Sequence, residues 1–386
     1  MKKVVRVKLL PGPDVAASLA ATLRRCNEAA NLASRVHHGL GLGSTAGRAL
    51  QTVVYQDLKA LGLSAQPALL AISKTKAAYA TLAASLRNGN HGRKGSERRA
   101  RTEAKPIVFR ADAAQPFDDP CLSWQIEVRT VSIWTVDGRL KGIPSTGRAE
   151  DLALLAAHRK GESDLMRQGR DWFLVATVDV PEPAPNPEPA GFLGVDLGIV
   201  NIATTSDGAN WSGGAVTARR AKNKRLRAKL QTKGTKSAKR LLRKRAGKEA
   251  RFAKDVNHTI SKRIVAEAER TGRGIAVEDL TGIRDRARLA KSQRAAIGSW
   301  AFAQLRAFLA YKAQGAGVPF EVVDPAYSSR ECSECHHIDK RNRPDRDTFA
   351  CVCCGVLLDA DLNAARNLAS RGSLRWGVNH ASGDAA

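Results

Sequence analysis

Three acidic residues far apart in the chain, Asp196, Glu278 and Asp361, each stand at the end of a short element that could deliver a side chain to the margin of a sheet. The elements read Phe192-Leu193-Gly194-Val195-Asp196-Leu197-Gly198, Gly274-Ile275-Ala276-Val277-Glu278-Asp279-Leu280 and Asp359-Ala360-Asp361-Leu362-Asn363-Ala364-Ala365-Arg366-Asn367. Carboxylates gathered in this way suit phosphodiester hydrolysis by two divalent cations roughly 3.5–4 Å apart, one activating water and the other stabilising the departing oxygen. Hard oxygen ligands favour Mg2+ or Mn2+ over Zn2+ there. Asp196 would bridge both cations, and the flanking Gly194 and Gly198 would let a phosphate backbone come close. Taken singly, each acid reads as well as a turn former or a helix cap, Asp361 above all as an N-cap. Asp359 competes with Asp361, and Asp279 with Glu278, although on a strand Asp279 would face away from Glu278.

A second constellation lies between the last two acids. Cys332-Ser333-Glu334-Cys335 and Cys351-Val352-Cys353-Cys354-Gly355 are two CxxC knuckles 15 residues apart, the spacing of a tetrahedral four-cysteine zinc ribbon. Cys332, Cys335, Cys351 and Cys354 are the expected ligands, with Cys353 as the spare thiol and His336 or His337 as the next choice. Four protein ligands close a site, so this Zn2+ would fold its loop and catalyse nothing. Between the knuckles, Lys340-Arg341-Asn342-Arg343-Pro344 adds positive charge next to Asp361.

The third feature is electrostatic. From Arg219 to Lys248, 15 of 30 positions are Lys or Arg and none is acidic, whereas an ordinary solvated helix balances its charges. Arg219, Arg220, Lys222, Lys224, Arg225, Lys236, Lys239, Arg240, Arg243, Lys244 and Arg245 are therefore expected to line a duplex channel and to touch phosphates without reading sequence. Leu226, Leu230, Leu241 and Leu242 would dock the stretch on its own fold. The whole chain agrees with this reading, since a formal charge of +26 calls for a polyanion to share the surface.

With 386 residues, the chain exceeds the size at which one core stops growing, so two or more domains are expected. No apolar run approaches the roughly 20 residues that cross a bilayer, and the start Met-Lys-Lys-Val-Val-Arg-Val lacks the apolar stretch of a secretion signal. Seven cysteines, four of them in CxxC pairs, suit a reducing compartment, so a cytoplasmic location is the expectation. Cys26 and Cys121 read as small buried residues.

The elements that must carry these groups follow from periodicity. Lys2–Leu10 alternates apolar and basic residues and breaks at Pro11-Gly12-Pro13, which predicts a strand. Helices are predicted at about Val15–Arg35 and Gln66–Arg87, and an exposed, mobile loop at Arg87–Gly95. Strands follow at Ile107–Phe109, Leu122–Val128, Val131–Val136 and Trp172–Val178, with a hairpin at Asp137-Gly138. The N-terminal half thus reads as a β-barrel interrupted by helices. The repeated prolines from Pro181 to Pro189 mark a boundary. Beyond it come strands Phe192–Leu197 and Asn201–Thr205, a turn at Asp207-Gly208 into a third strand, and a basic helical region Arg219–Arg270. Strand Gly274–Leu280, helix Ala295–Lys312 with Ile297, Ala301, Leu305 and Phe308 on one face, and strand Phe320–Val323 complete a ribonuclease-H-like order.

Together these residues resemble the TnpB family of transposon-associated RNA-guided nucleases and the related compact type V CRISPR effectors. The resemblance is carried by GVDLGIVNIATTSDG from Gly194, GTKSAKRLLRKRAG from Gly234, NHTISKRIV from Asn257, IAVEDLTGIR from Ile275, and YSSRECSEC followed by CVCCG and DADLNAARN. It departs in two places, His336 where a glycine is usual and the additional Cys353. The resemblance implies a RuvC nuclease with Asp196, Glu278 and Asp361 in its catalytic positions, and a zinc-bearing target-nucleic-acid-binding insertion ahead of the third. It also implies a guide RNA that selects target DNA by pairing, and a short flanking motif read by the barrel and the helix from Gln66 to Arg87. The expected organisation is an α/β multidomain chain: a barrel at 1–10 and 106–180, a helical insertion at 11–105, and a linker at 181–190. The RuvC domain would occupy 191–326 and 359–386, with the zinc ribbon at 327–358. A guide-independent nuclease of the same fold and an RNA-guided repressor that does not cut are the alternatives. One chain carries all three acids, so one copy per guide RNA is expected, with a dimer left open, and a transposon or a CRISPR array would serve equally as its genetic setting.

Overall fold

Alternating side chains set the first strand, β1 (Lys2–Leu9), whose Val5, Val7 and Leu9 turn inward. The computed structural model describes residues 1–41, 47–280 and 302–380. The chain divides into two units, Met1–Pro181 and Glu182–Ala386.

In the first unit, β1 is joined by β2 (Gln115–Phe117), β3 (Leu122–Gln125), β4 (Thr130–Thr135), β5 (Gly138–Thr146), β6 (Arg159–Gln168) and β7 (Asp171–Asp179). The order is β2-β6-β7-β1-β5-β4-β3. Phe117 on one edge strand and Leu122 on the other are buried in the same cluster as Leu165, Trp172 and Leu174, so the sheet curls nearly shut. Among the described residues β2 and β3 do not pair with each other, which leaves the expected barrel incomplete. The Asp137-Gly138 hairpin forms, with Gly138 at φ 107°.

Five helices accompany the sheet: α1 (Pro13–Gly39), α2 (Gly47–Ala60), α3 (Ala65–Arg87), α4 (Glu97–Glu103) and α5 (Ala149–His158). Two were expected; α2, α4 and α5 were not, nor were strands β2 and β6. α1, α2 and α3 share a core of Cys26, Ala29, Leu50, Val54, Leu58 and Ala68. Leu152 and Leu155 of α5 cover Val5, Val7 and Val178. The strand expected at Ile107–Phe109 does not form. Its backbone is held instead by helix side chains: Asn31 donates to the Phe109 carbonyl (3.0 Å) and accepts from its amide (2.7 Å), and Ser34 donates to the Ile107 carbonyl (2.7 Å). Polar groups satisfied this way need no sheet partner.

The second unit is built on β8 (Phe192–Asp196), β9 (Asn201–Thr205), β10 (Asn210–Ser212), β11 (Gly274–Glu278) and β12 (Phe320–Val323), in the order β10-β9-β8-β11-β12. β9 runs antiparallel to β8 and β10, while β8, β11 and β12 are parallel. Its helices are α6 (Gly214–Lys233), α7 (Lys236–Arg270), α8 (Phe302–Gly315) and α9 (Ala360–His380). The expected helix Ala295–Lys312 is seen from Phe302 onward, and Ile297 and Ala301 lie outside the described residues. The expected single basic stretch is two helices. Gly234 at φ 63° stops α6, and Thr235 starts α7 by accepting from the Ala238 amide (3.1 Å). The proline-rich segment is laid along this unit, the Asn186 amide donating to the Gly317 carbonyl (2.9 Å).

Both faces of the parallel strands are covered, and the two-residue period sorts them. Leu193 and Val195 of β8 and Ile275 and Val277 of β11 pack on Ile260 and Ile264 of α7 and Leu305 of α8. Phe192, Gly194, Gly274 and Ala276 face α9. A Cβ on Gly194 would collide with the Ala365 carbonyl oxygen and lie 2.6 Å from the Ala369 amide nitrogen, and one on Gly372 would lie 2.5 Å from the Ala276 Cβ. The helix therefore rests directly on the strands through two glycines. The β-hairpin β13 (Thr348–Ala350) and β14 (Leu357–Asp359) carries the second CxxC knuckle.

Candidate metal centres at the sheet edge and the four-cysteine ribbon

The face that receives α9 also carries the acids. Counting by twos from Gly194 and Ala276 places Asp196 and Glu278 on that face, one position beyond the Val195–Val277 pair on adjacent parallel strands. Neighbouring strands lie about 4.8 Å apart, so two carboxylates in register must sense each other. Asp361, in the first turn of α9, comes from the helix lying on that face. Asn201, the first residue of β9, donates to the Asp361 carboxylate (2.9 Å) and ties the helix start to the sheet.

The electrostatics match. Burial, and then the Asp361 carboxylate, push Asp196 up to about 7; Arg343 pulls it down and Asp359 adds to the rise. Burial, and then Asp196, push Glu278 up to about 8, against a backbone hydrogen bond from Leu197. Asp196 thus interacts with both other acids. The donor set of three carboxylates and one amide side chain is hard and oxygen-rich, and its mutual repulsion is what a divalent cation would relieve. Among the described residues, only the four thiols form a group of three or more whose ligand atoms all lie within 4.8 Å. The carboxylates interact without converging that tightly.

The second-choice acids have other partners. Asp279 lies 2.9 Å from Arg306 of α8. Asp359 accepts from the amides of Asp361 (2.9 Å) and Leu362 (3.0 Å), so it and not Asp361 is the N-cap of α9. The expected role of the glycines is also corrected. The space beside Gly194 is filled by the backbone of α9, and a Cβ on Gly198 would lie 2.6 Å from the Asn201 carbonyl oxygen, so both admit protein backbone and not a phosphate.

Cys332, Cys335, Cys351 and Cys354 converge, while Cys353 is exposed and outside the group. The Cys332–Cys354 and Cys335–Cys351 sulfur separations are both 3.6 Å. A tetrahedron with Zn–S bonds of about 2.3 Å has edges near 3.8 Å, so the thiols could hold zinc. Burial opposes ionisation of Cys351, but amides of Cys354 and Cys353 outweigh it and draw the thiol down to about 6. His336 turns to Glu331 (3.2 Å) and His337 to Asp339 (3.9 Å), away from the thiols.

Several residues that hold the ribbon together and fasten it to α9 carried no role in the sequence pattern. Buried Asn342 donates to the carbonyls of Arg330 (2.9 Å) and His337 (3.0 Å) and accepts from the Val352 amide (3.0 Å). Asn363 and Asn367, one helical turn apart on α9, both donate to the Glu331 carbonyl (2.8 and 2.7 Å). Two asparagines at i and i+4 in an alanine-rich helix were the available signal, since such a helix interior disfavours them.

The cationic positions form the α6–α7 hairpin. Lys222, Lys224, Arg225, Lys236, Lys239, Arg240, Arg243 and Lys244 are exposed, as is Arg219, whose guanidinium lies over Phe252 (4.2 Å). Arg220 and Arg245 are half-buried, and Arg245 donates to Asn223 (2.8 Å). Leu230 docks as expected, but Leu241 is 42% exposed. Among the described residues no helix is long and apolar enough to cross a membrane.

Fold and site define an α/β protein with a carboxylate-bearing sheet edge and a four-cysteine ribbon entering the helix that bears the third acid. Known proteins share this build in parts. A family described as a probable transposase matches residues 175–283, and one described as a Cas12f1-like TNB domain matches residues 302–368. A CRISPR-associated endodeoxyribonuclease Cas12f1 of Sulfoacidibacillus thermotolerans is 41% identical over 31% of this chain and 27% of its own. A TnpB-like protein of Methanocaldococcus jannaschii is 33% identical over 38% of this chain and 52% of its own. The chain thus matches about half or less of these relatives' length. A solved structure of CasPhi-2 (Cas12j) bound to crRNA shares the fold at 10% identity, with a TM-score of 0.52 over 96% of this chain and 98% of that one. The resemblance to TnpB-like proteins and compact type V CRISPR effectors, drawn from the motifs, is therefore matched by sequence comparison.

Proposed function

We propose that the chain is an RNA-guided DNA endonuclease with a RuvC-type, ribonuclease-H-like nuclease domain. The observation that carries this reading is that Asp196 and Glu278 end adjacent parallel strands, with Asp196 electrostatically linked to Glu278 and to Asp361 at the start of α9. Asp196, Glu278 and Asp361 would hold Mg2+ or Mn2+, which when bound supplies charge stabilisation and an activated water for phosphodiester hydrolysis. Asn201 holds Asp361 in place, and Arg343 brings positive charge towards Asp196, where a phosphate would pass. A Zn2+ on the four thiols would keep the ribbon folded. The exposed cations of the α6–α7 hairpin would bind guide RNA and target DNA through phosphates, and the first unit would read a short motif beside the target. The 41% identity to a Cas12f1 endodeoxyribonuclease and the +26 charge support this reading.

The test is to purify the protein with its RNA, sequence that RNA, and supply Mg2+ and a DNA matching the variable end. Wild type should cut, and Asp196→Ala should bind the same DNA without cutting. Wild-type rates from Asp196→Ala, or cutting that survives complete RNase digestion, would overturn the reading.

A further inference from the structure

The loop that leaves β12 contains a residue its backbone does not favour. Tyr327 lies at φ 61°, in the left-handed region, where a bulky side chain is an outlier and Gly or Asn is the usual choice. The conformation is imposed from both sides. The Ala326 amide donates to Asp324 (3.0 Å), the Ser328 hydroxyl to the Pro325 carbonyl (3.0 Å), and the amides of Arg330 and Glu331 to the Tyr327 carbonyl (2.8 and 2.9 Å). Arg371 and Asn367 of α9 clamp the carbonyls of Asp324 (2.6 Å) and Ser328 (2.9 Å). A turn so fixed has no need of an aromatic ring.

The ring is nonetheless there, and 59% of the residue is exposed. The other three tyrosines are engaged: Tyr79 stacks on His37, Tyr311 packs edge-on against Phe308, and Tyr55 lies against the helical core. Among the described residues the Tyr327 side chain makes no hydrogen bond and no ring contact. The sheet bounds how far it can lie from the acids, because Val323, the last residue of β12, is in register with Glu278. Four residues of chain reach at most about 14 Å, so Tyr327 stands within a few nucleotides of the carboxylates.

We infer that Tyr327 is a stacking platform for a nucleobase of the single strand that enters the carboxylate edge. This positioning role rests on the nuclease reading above and extends it to the substrate. Base–aromatic stacking tolerates any sequence, which suits a site that reads none, and the clamped backbone fixes the point from which the ring is presented. Backbone strain kept at an exposed aromatic beside a candidate site is the pattern expected of a ligand contact.

The experiment compares Tyr327→Phe, Tyr327→Trp, Tyr327→Ala and Tyr327→Gly in the full chain carrying Asp196→Asn. Affinity is measured for a 12-nucleotide oligothymidylate and for an abasic strand of equal length, at about 0.3 M salt, where backbone binding is weakened. Phe and Trp should bind oligothymidylate like Tyr, while Ala and Gly lose about tenfold, and all five proteins should bind the abasic strand alike. Gly relieves the φ and keeps the fold, so Gly binding as tightly as Tyr, or losing equally on the abasic strand, would overturn the inference. Cleavage by the chain with Asp196 intact is scored separately, so failure to cut tells against the nuclease reading and leaves the binding comparison interpretable.

Discussion

Asp359 caps the helix on which Asp361 stands: one carboxylate oxygen of Asp359 accepts from the Asp361 amide at 2.9 Å and from the Leu362 amide at 3.0 Å. Two acids that are equivalent in sequence thereby take different work. Asp361 faces Asn201 and raises the pKa of Asp196, while Asp359 satisfies amides that the helix start would leave unpaired. Asp361→Asn should reduce DNA cleavage below about 1% of wild type with little change in melting temperature, in line with removal of a metal-holding carboxylate. Asp359→Ser, which can still cap, should keep most activity, and Asp359→Ala should cost about 1 kcal/mol of stability. Cleavage rates set beside thermal melts of the three variants decide it; equal loss at both acids would reject this division.

The raised carboxyls predict a pH dependence with a definite sign. Unfolded, Asp and Glu titrate near 4; folded, Asp196 sits at about 7 and Glu278 at about 8. The folded state then holds more protons between about pH 4 and pH 8. Stability contributed by these groups must fall as pH rises through that window, and the cost is complete above it. In Mg2+-free buffer with zinc retained, Asp196→Asn/Glu278→Gln should gain on wild type in urea unfolding from pH 5 to pH 8.5. Adding Mg2+ should stabilise wild type alone, and its binding near pH 7 should release protons, which calorimetry in buffers of different ionisation enthalpy detects. Constant differences across pH would contradict the coupling.

Zinc should matter for cleavage although its ligands do no chemistry. β14 runs from the second knuckle to Asp359, and Ala360, the next residue, packs with Cys332, Phe349 and Cys351. The ribbon thus sets where α9 begins and where Asp361 points. Cys351→Ser should lose the bound metal and at least tenfold in cleavage, whereas Cys353→Ser should keep one zinc per chain and full activity. Elemental analysis paired with cleavage assays tests both, and a metal-free Cys351→Ser protein that cuts normally would break the link.

What the sequence made legible, and what it hid, divides along physical lines. Acids ending apolar strands and paired CxxC knuckles are local patterns: Asp196 and Glu278 close β8 and β11, and the four knuckle thiols converge. β6 was hidden because Arg-Lys-Gly-Glu-Ser-Asp-Leu-Met-Arg-Gln turns only Ser163 and Leu165 fully inward and shifts register after Arg159, so no alternation shows. α5 is only 10 residues long, and Arg148 at its N-cap makes no side-chain cap. Asn363 and Asn367 act on the Glu331 carbonyl more than 30 residues back, so their helical spacing flags them without showing what they bind, and the partners of Asn342 are brought together only by the folded ribbon. Gly194 was noticed for its missing side chain but assigned the wrong neighbour, since only the packed helix reveals what fills the gap.

Gly194 and Gly247 therefore make a discriminating pair. A methyl group on Gly194 meets the backbone of α9 at Ala365 and Ala369, and backbone at a helix–sheet contact cannot step aside as a flexible side chain can. Gly247 sits inside α7, where an added Cβ meets only the mobile end of Arg251 at 3.4 Å. Gly247→Ala should stabilise by up to about 1 kcal/mol through helix propensity. Gly194→Ala should cost roughly 3 kcal/mol, lowering the melting midpoint by about 6–12 °C, and should push α9 off the strands that carry Asp196 and Glu278. Its activity should fall further than its stability, because the carboxylate cluster needs Asp361 at its present height over the sheet. Melting curves and cleavage at a temperature where Gly194→Ala is fully folded separate the two effects. Wild-type cleavage under that condition would mean the cluster tolerates a displaced helix, and the close approach at Gly194 would then serve stability alone.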